Sequence, residues 1–309
     1  MGTILNKKPQ MLLEESGDYG EIFCALNTHL LSGGKKIRPQ LCYLSAELFG
    51  LEKTYIKNIA HAAEYVHSAF LAHDDVIDNA DMRRGKSSMN AALSNKKAVL
   101  AGDSLLAEAT NLVVTYDNLA IYKDLSWVIQ EAVSGEWMQL ENIGNIKIEF
   151  ETIEEIGFKK TGALIAWCMS SSAHLSNQST EVIELCHKYA RHIGIAFQLR
   201  DDILDFDAKN GKDLYKDIKE KIINAVSFYL LQKNLDFAKC FKDNSSFDPA
   251  KTYWTEDSLM HSIEMVENRA KAHIGEAKNC LEELEKLRAK NRPLKQLKEF
   301  TAMIFERKS

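Results

Sequence analysis

Apolar residues recur along this chain at steps of three and four. After Thr180, the run Val182, Leu185, Cys186, Tyr189, Ile193, Ala196 and Phe197 traces one face of a helix. Only four prolines occur in 309 residues, and none falls between Gln40 and Asp248. Helix interiors exclude proline, whereas an all-β chain needs frequent turn residues. The pattern therefore predicts an all-α fold. A first helix is expected from an Asp18 N-cap to Leu31, ended by Ser32-Gly33-Gly34, with Pro39 placed to start the next. Long amphipathic segments follow over 54–78, 96–116 and 124–141, with a loop at Arg84-Gly85-Lys86-Ser87-Ser88 between the first two. Thr152 and Glu155 have capping-box spacing and open a helix that carries Lys160 and Thr161. Asn210-Gly211 reads as a turn and 243–249 as a surface loop. The helical patterns on either side of that loop are alike in composition, so residues 1–309 are expected to form a single domain. Over 255–290, Ile263, Val266, Ala270, Ile274, Leu281 and Leu284 stand near helical spacing among Glu and Lys, the pattern of a charged outer helix.

Composition narrows the function classes. A hydrophobic content of 45% is ample for a core, and a formal net charge of −5 argues against a nucleic-acid protein, which normally shows a basic domain. The six cysteines are scattered, with no Cys-x-x-Cys pair, and read as reduced core residues. The N-terminal residues show neither a signal-peptide core nor a myristoylation pattern, and no apolar run reaches the length of a membrane span. A cytoplasmic protein is expected.

Two acidic clusters stand out against this background. Asp74, Asp75 and Asp78 end one apolar run, and Asp201, Asp202 and Asp205 end another. Residues four apart on a helix share a face, so Asp74 with Asp78, and Asp201 with Asp205, each form a clamp. Each clamp continues an apolar stripe, through Val66 and Phe70 in one case and Ile193 and Phe197 in the other. Both sit near the expected C-terminal ends of helices, where the macrodipole disfavours carboxylates. The arrangement makes sense if cations are held there, and oxygen-only ligands point to Mg²⁺. Basic groups complete the set. Lys35, Lys36 and Arg38 precede a helix start, Arg83, Arg84 and Lys86 follow the first cluster, and Lys160, Lys212 and Lys221 are further candidates. The spacing suggests a helical site for two phosphorylated groups, one held through metal and one through bare cations.

Six ordered pieces carry a family resemblance. They are Gly33-Gly-Lys-Lys-Ile-Arg-Pro39, His73-Asp-Asp-Val-Ile-Asp78 with Asp81-Met-Arg-Arg-Gly85, Val99-Leu-Ala-Gly-Asp103, Gly135-Glu-Trp-Met-Gln-Leu140, Lys160-Thr161, and Phe197-Gln-Leu-Arg-Asp-Asp-Ile-Leu-Asp205. In these the chain resembles the all-trans polyprenyl diphosphate synthases, and most closely the bacterial medium- and long-chain, octaprenyl-type enzymes. The resemblance implies an all-helical fold with a central cavity, a homodimer, and Mg²⁺, three ions when substrate is bound. It also implies condensation of an allylic diphosphate with isopentenyl diphosphate. Asp74 and Asp78 match the first metal motif and Asp201 leads the second, with Asp75, Asp202 and Asp205 in support. Arg83, Lys160, Thr161, Gln198 and Lys212 match groups around the allylic substrate, and Lys221 stands within one residue of a further lysine. Lys35, Arg38, His67 and Arg84 match those holding isopentenyl diphosphate. His67 also lies seven residues before Asp74, hence on the same helical face, whereas His73 points elsewhere and reads as structural.

The likeness departs after the second cluster. Relatives carry Gly-Lys, then Gly-x-Asp, then Gly-Lys leading into Thr-Leu-Pro. Here Tyr215 replaces a glycine, the second glycine is missing, and Ile223-Asn-Ala225 stands where Thr-Leu-Pro is expected. The alternative reading is a non-catalytic or partner-dependent subunit of a heteromeric synthase. Terpene cyclases and head-to-head synthases lack the Gly-Gly-Lys-x-x-Arg-Pro piece. For product length, small Ala69 and bulkier Phe70, just upstream of Asp74, point in opposite directions, and Trp137 is another possible floor. A medium or long chain is expected.

Overall fold

A computed structural model describes residues 26–31, 36–83, 85–207, 214–242, 247–248, 253–287 and 292–305. The described residues are predominantly helical. α1 (Leu26–Leu31) is a single π-helical stretch, followed by α2 (Ile37–Leu48) and α3 (Lys57–Ile77). A two-residue hairpin, β1 (Met82–Arg83) with β2 (Lys86–Ser87), comes next. Then come α4 (Met89–Ala92), α5 (Asn95–Val114), α6 (Leu119–Glu141), α7 (Phe150–Gly157), α8 (Ala163–Leu175) and α9 (Thr180–Leu204). After these follow α10 (Lys216–Lys219), α11 (Ala225–Lys233), α12 (Leu235–Lys242), α13 (Glu256–Leu287) and α14 (Arg292–Phe305).

The loop expected at 84–88 closes as the hairpin instead, with Met82 opposite Ser87 and Gly85 at φ +75°, a conformation that glycine adopts without strain. Two helix starts also differ from expectation. α6 begins at Leu119 because the Asn118 side chain accepts hydrogen bonds from the N–H groups of Ala120 and Ile121. Asp124, taken from the sequence as a start, lies inside the helix and accepts from Ser170 Oγ and His174 Nε2, both at 3.1 Å. α7 begins at Phe150, so Thr152 and Glu155 sit within it and form no capping box; Glu155 instead pairs with Arg191 at 2.5 Å. Asp18 and the Asn210-Gly211 turn lie outside the described residues, as does most of 243–249.

α9 runs through two apolar clusters. Through Ala196 it supplies Val182, Leu185, Tyr189, Ile193 and Ala196 to a core shared with α2, α3, α5, α6 and α8, where Trp167, Tyr65 and Leu105 are buried. Its last turns supply Ile195, Leu199 and Ile203 to a second cluster with Phe150, Phe158, Val226, Leu230, Phe237 and Val266. α3 packs along α5, and α9 packs along α8 and α13. Close approach is built in at two points. A Cβ on Gly102 would stand 2.2 Å from His73 Nε2, so α3 docks on α5 through His73, whose Nε2 also lies 3.2 Å from the Val99 carbonyl. A Cβ on Gly194 would stand 2.3 Å from Gly162 Cα, so α9 lies directly against the π-helical turn Phe158–Gly162 that carries Lys160 and Thr161.

Candidate active site

Both acidic clusters end long helices. Asp78 is the C-cap of α3 and Asp205 the C-cap of α9. Neither end carries a basic residue in its last turn, so each carboxylate group faces the negative pole of its own helix. Burial compounds this. It pushes the Asp74 carboxyl up to about 6, with Glu136 and Asp78 adding to the effect against the pull of Lys160 and Arg83. Asp202 is pushed up to about 7 by burial and by Asp217, and Asp205 to about 7 for the same two reasons. Asp217 and Glu220 are also raised, chiefly by burial.

The six aspartates of the clusters do different work. Asp75 is fully buried and accepts from Arg83, whose Nε lies 2.8 Å from Oδ1, so it holds the hairpin arginine beside the site. Asp202 is also buried, and both its oxygens are used: Oδ1 accepts from Gln198 Nε2 and Oδ2 from the Ala225 N–H, each at 2.9 Å. Asp205 Oδ1 accepts from the Lys216 N–H at 3.0 Å, and its carbonyl accepts from the Tyr215 N–H at 3.1 Å. Asp74, Asp78 and Asp201 are only partly buried.

A cavity of about 180 Å³ lies between the two helix ends. Asp78, Asp202, Gln198, Lys160 and Gly157 line it, together with Gln139 and Asn142 from the end of α6 and Lys216, Asp217, Glu220, Ile222 and Asn224 from the segment after α9. Lys160 Nζ lies 2.5 Å from Glu136 Oε2 and 3.0 Å from Gln139 Oε1. Lys216 links the clusters, because its N–H is bound to Asp205 while its Nζ lies 3.0 Å from Asp78 Oδ2 and 3.6 Å from Glu220 Oε1. Among the described residues no three carboxylate or imidazole side chains already converge on one metal position. The donor set nevertheless fits Mg²⁺. Carboxylates crowd the helix ends, burial and mutual repulsion disfavour their ionised forms, and the buried Asp205 Oδ2 has no hydrogen-bond partner.

Comparison with known proteins settles the family. The polyprenyl synthetase family model matches residues 21–253. The chain belongs to the polyprenyl synthetase family. It is 35% identical over 219 residues to a prenyl transferase of Synechocystis, a match covering 69% of this chain and 68% of that one. It is 33% identical over 212 residues to the octaprenyl diphosphate synthase of Escherichia coli, covering 68% of this chain and 65% of that one. The matched stretch thus spans about two thirds of these curated relatives. The heptaprenyl diphosphate synthase structure from Staphylococcus aureus superposes with a TM-score of 0.84 at 26% identity, covering 95% of this chain and 94% of that one. The fold is therefore the all-α fold of the isoprenyl diphosphate synthases, as the sequence led one to expect.

Within this polyprenyl synthetase fold, the residues singled out from the sequence divide into groups. Asp78, Asp202, Lys160 and Gln198 line one cavity. Arg83 stands close enough to Asp74 to act on its charge, and Thr161 follows Lys160 in the same turn. Arg38 and His67 are partly buried, in the first turn of α2 and one helical face above Asp74. Lys35, Arg84 and Lys212 lie outside the described residues. Lys36 is committed elsewhere, 2.6 Å from the buried Glu64. Lys221 has a left-handed backbone, φ +58°, and its carbonyl accepts from the Gly144 N–H; the adjacent Ile222, rather than Lys221, lines the cavity. Left-handed backbone favours glycine, and Lys221 adopts it with a side chain in place. Tyr215, φ +57°, likewise stands in a glycine-like conformation, with its ring packed on Phe206, Phe247 and Trp254. Trp137 is 64% exposed and bonds Glu141 on the outer face of α6, so it is no floor of an internal cavity. The sequence reading missed Lys216, Asp217 and Glu220, which lie in the stretch where motif matching fails, and Glu136 and Gln139, which lay unassigned inside a matched piece.

Proposed function

We propose that the chain is an all-trans polyprenyl diphosphate synthase, elongating an allylic diphosphate with isopentenyl diphosphate and releasing diphosphate. The observation that carries the reading is one cavity drawing residues from both aspartate-bearing helix ends together with Lys160 and Gln198. Asp74, Asp78 and Asp201 would hold Mg²⁺, three ions with substrate bound. When bound, Mg²⁺ neutralises the diphosphate charge. Asp75, Asp202 and Asp205 position Arg83, Gln198 and the segment after α9. In this reading Arg83, Lys160, Thr161, Gln198 and Lys212 would bind the allylic diphosphate, and Lys35, Arg38, His67 and Arg84 would bind isopentenyl diphosphate.

In this reading the allylic carbon–oxygen bond breaks as cations gather on the leaving diphosphate. The isopentenyl double bond attacks the allylic cation, forming the new carbon–carbon bond, and the proton then lost passes to the departing diphosphate. No side chain need act as general base. The tail runs past Ala69, fully buried, and Phe70, partly buried against the main core, and the small Ala69 supports a medium or long product.

A homodimer fits the outer face of α6, where Leu119, Tyr122, Val133, Trp137 and Leu140 are exposed at helical spacing. The buried free cysteines Cys42, Cys168, Cys186 and Cys280 fit a cytoplasmic location, and no helix among the described residues is long and apolar enough to cross a membrane. The test is purified protein with Mg²⁺, farnesyl diphosphate and labelled isopentenyl diphosphate. Longer prenyl diphosphates are expected; no turnover by the isolated chain, restored by a second subunit, would overturn the self-sufficient enzyme in favour of a partner-dependent one.

A further inference from the structure

The segment after α9 hangs from the second acidic cluster at both ends, through Lys216 N–H to Asp205 and Ala225 N–H to Asp202. Next to Lys221 it offers the uncharged Ile222 to the cavity. Another lysine of the same segment reaches the cavity from six residues earlier. The Nζ of Lys216 bridges Asp78 and Glu220 across the gap between the helix ends. It is 41% exposed, and an ion pair so placed is weak because solvent screens it. Such a pair is readily exchanged for a stronger partner. The surrounding acids do not make it permanent either, since an ammonium on a flexible four-carbon stem follows the largest nearby negative charge.

We infer that Lys216 is a resident counter-cation with two positions. Without ligand it neutralises Asp78 and Glu220, and when diphosphate and metal enter it leaves Asp78 to the metal and moves to the diphosphate, supplying the cavity charge that Ile222 cannot. The Tyr215 ring, held among Phe206, Phe247 and Trp254, fixes the backbone from which the lysine swings. This rests on the proposed function, because it assumes that diphosphate is the anion bound.

The two positions make opposite demands, which a binding experiment separates without turnover. In Lys216→Met, Mn²⁺ alone, followed by electron paramagnetic resonance, is expected to bind about tenfold more tightly, because Asp78 has lost its competing cation. Inorganic diphosphate with Mg²⁺, followed by calorimetry, is expected to bind about tenfold more weakly. Lys216→Arg should keep diphosphate affinity within about threefold, and Ile222→Lys added to Lys216→Met should restore it. Unchanged affinities in Lys216→Met, or parallel losses of both, would overturn the inference and leave Lys216 a structural ion pair. Failure of the unaltered protein to bind Mg²⁺ with diphosphate would instead overturn the functional reading beneath it.

Discussion

Gly194 of α9 crosses Gly162 so closely that a Cβ would lie 2.3 Å from one backbone atom and 2.8 Å from another. Neither is the end of a flexible side chain, so α9 or the turn bearing Lys160 must move if Gly194 gains a methyl group. Gly194→Ala is expected to cost about 1–3 kcal/mol, the usual penalty of overpacking, read as a lowered Tm. Because the displaced turn carries Lys160 and Thr161, KM for the allylic diphosphate should rise more than KM for isopentenyl diphosphate. Equal effects on the two substrates would show that the crossing does not position the turn.

Chain length should respond to Phe70 and not to Trp137. Phe70→Ala opens space upstream of Asp74 on α3, and product analysis should shift by one or more isoprene units. Trp137→Ala changes a side chain outside the cavity lining, on the α6 face proposed for the homodimer, and should leave the product distribution of the dimeric protein unaltered.

Asp78→Asn removes a cavity carboxylate and with it a ligand of the proposed metal site. Turnover should fall about a hundredfold or more, as expected when electrostatic stabilisation of a leaving group is lost. In the unaltered protein, a chelator should abolish activity and added Mg²⁺ should restore it.

Acid stability should carry the mark of Glu154. Burial alone would raise its pKa, but hydrogen bonds from His273 at 3.0 Å and Arg269 at 2.6 Å outweigh it and hold the carboxyl down at about 2. The folded value lies below the ordinary carboxylate range, so the unfolded chain takes up a proton first as pH falls. The contribution is whole at neutral pH, declines as pH drops below the ordinary glutamate value near 4.5, and is gone below about 2. Tm measured from pH 7 to 3 should therefore fall further for the unaltered protein than for Glu154→Gln, the two curves converging in acid. Curves that stay parallel would remove Glu154 from the account of acid stability.

How far the fold could be read in advance depended on the kind of signal. The three- and four-residue periodicity gave α3, α5, α9 and α13 within a few residues at each end, because each is long and one-sided in its burial. Starts were less legible. Thr152 and Glu155 match a capping box in spacing, but the helix had already begun at Phe150, and Asn118 outcompeted Asp124 as a cap. At the site, i,i+4 spacing placed the aspartates on helix ends. It could not show that Asp75 is committed to Arg83 and Asp202 to the Ala225 N–H, since those partners lie 8 and 23 residues away in sequence. Lys216 was invisible for a related reason, because its partner Asp78 lies 138 residues distant.

The segment from Tyr215 to Ala225 has a use that its own sequence conceals. The amides of Lys216 and Ala225 are each bonded to an aspartate of the second cluster. Anything that redistributes charge over those carboxylates must alter the bonds that these two N–H groups make. Their amide resonances and exchange rates would therefore serve as intrinsic gauges of occupancy. A titration followed at Lys216 and Ala225 would report the loading of the site residue by residue, with no probe attached and no product formed.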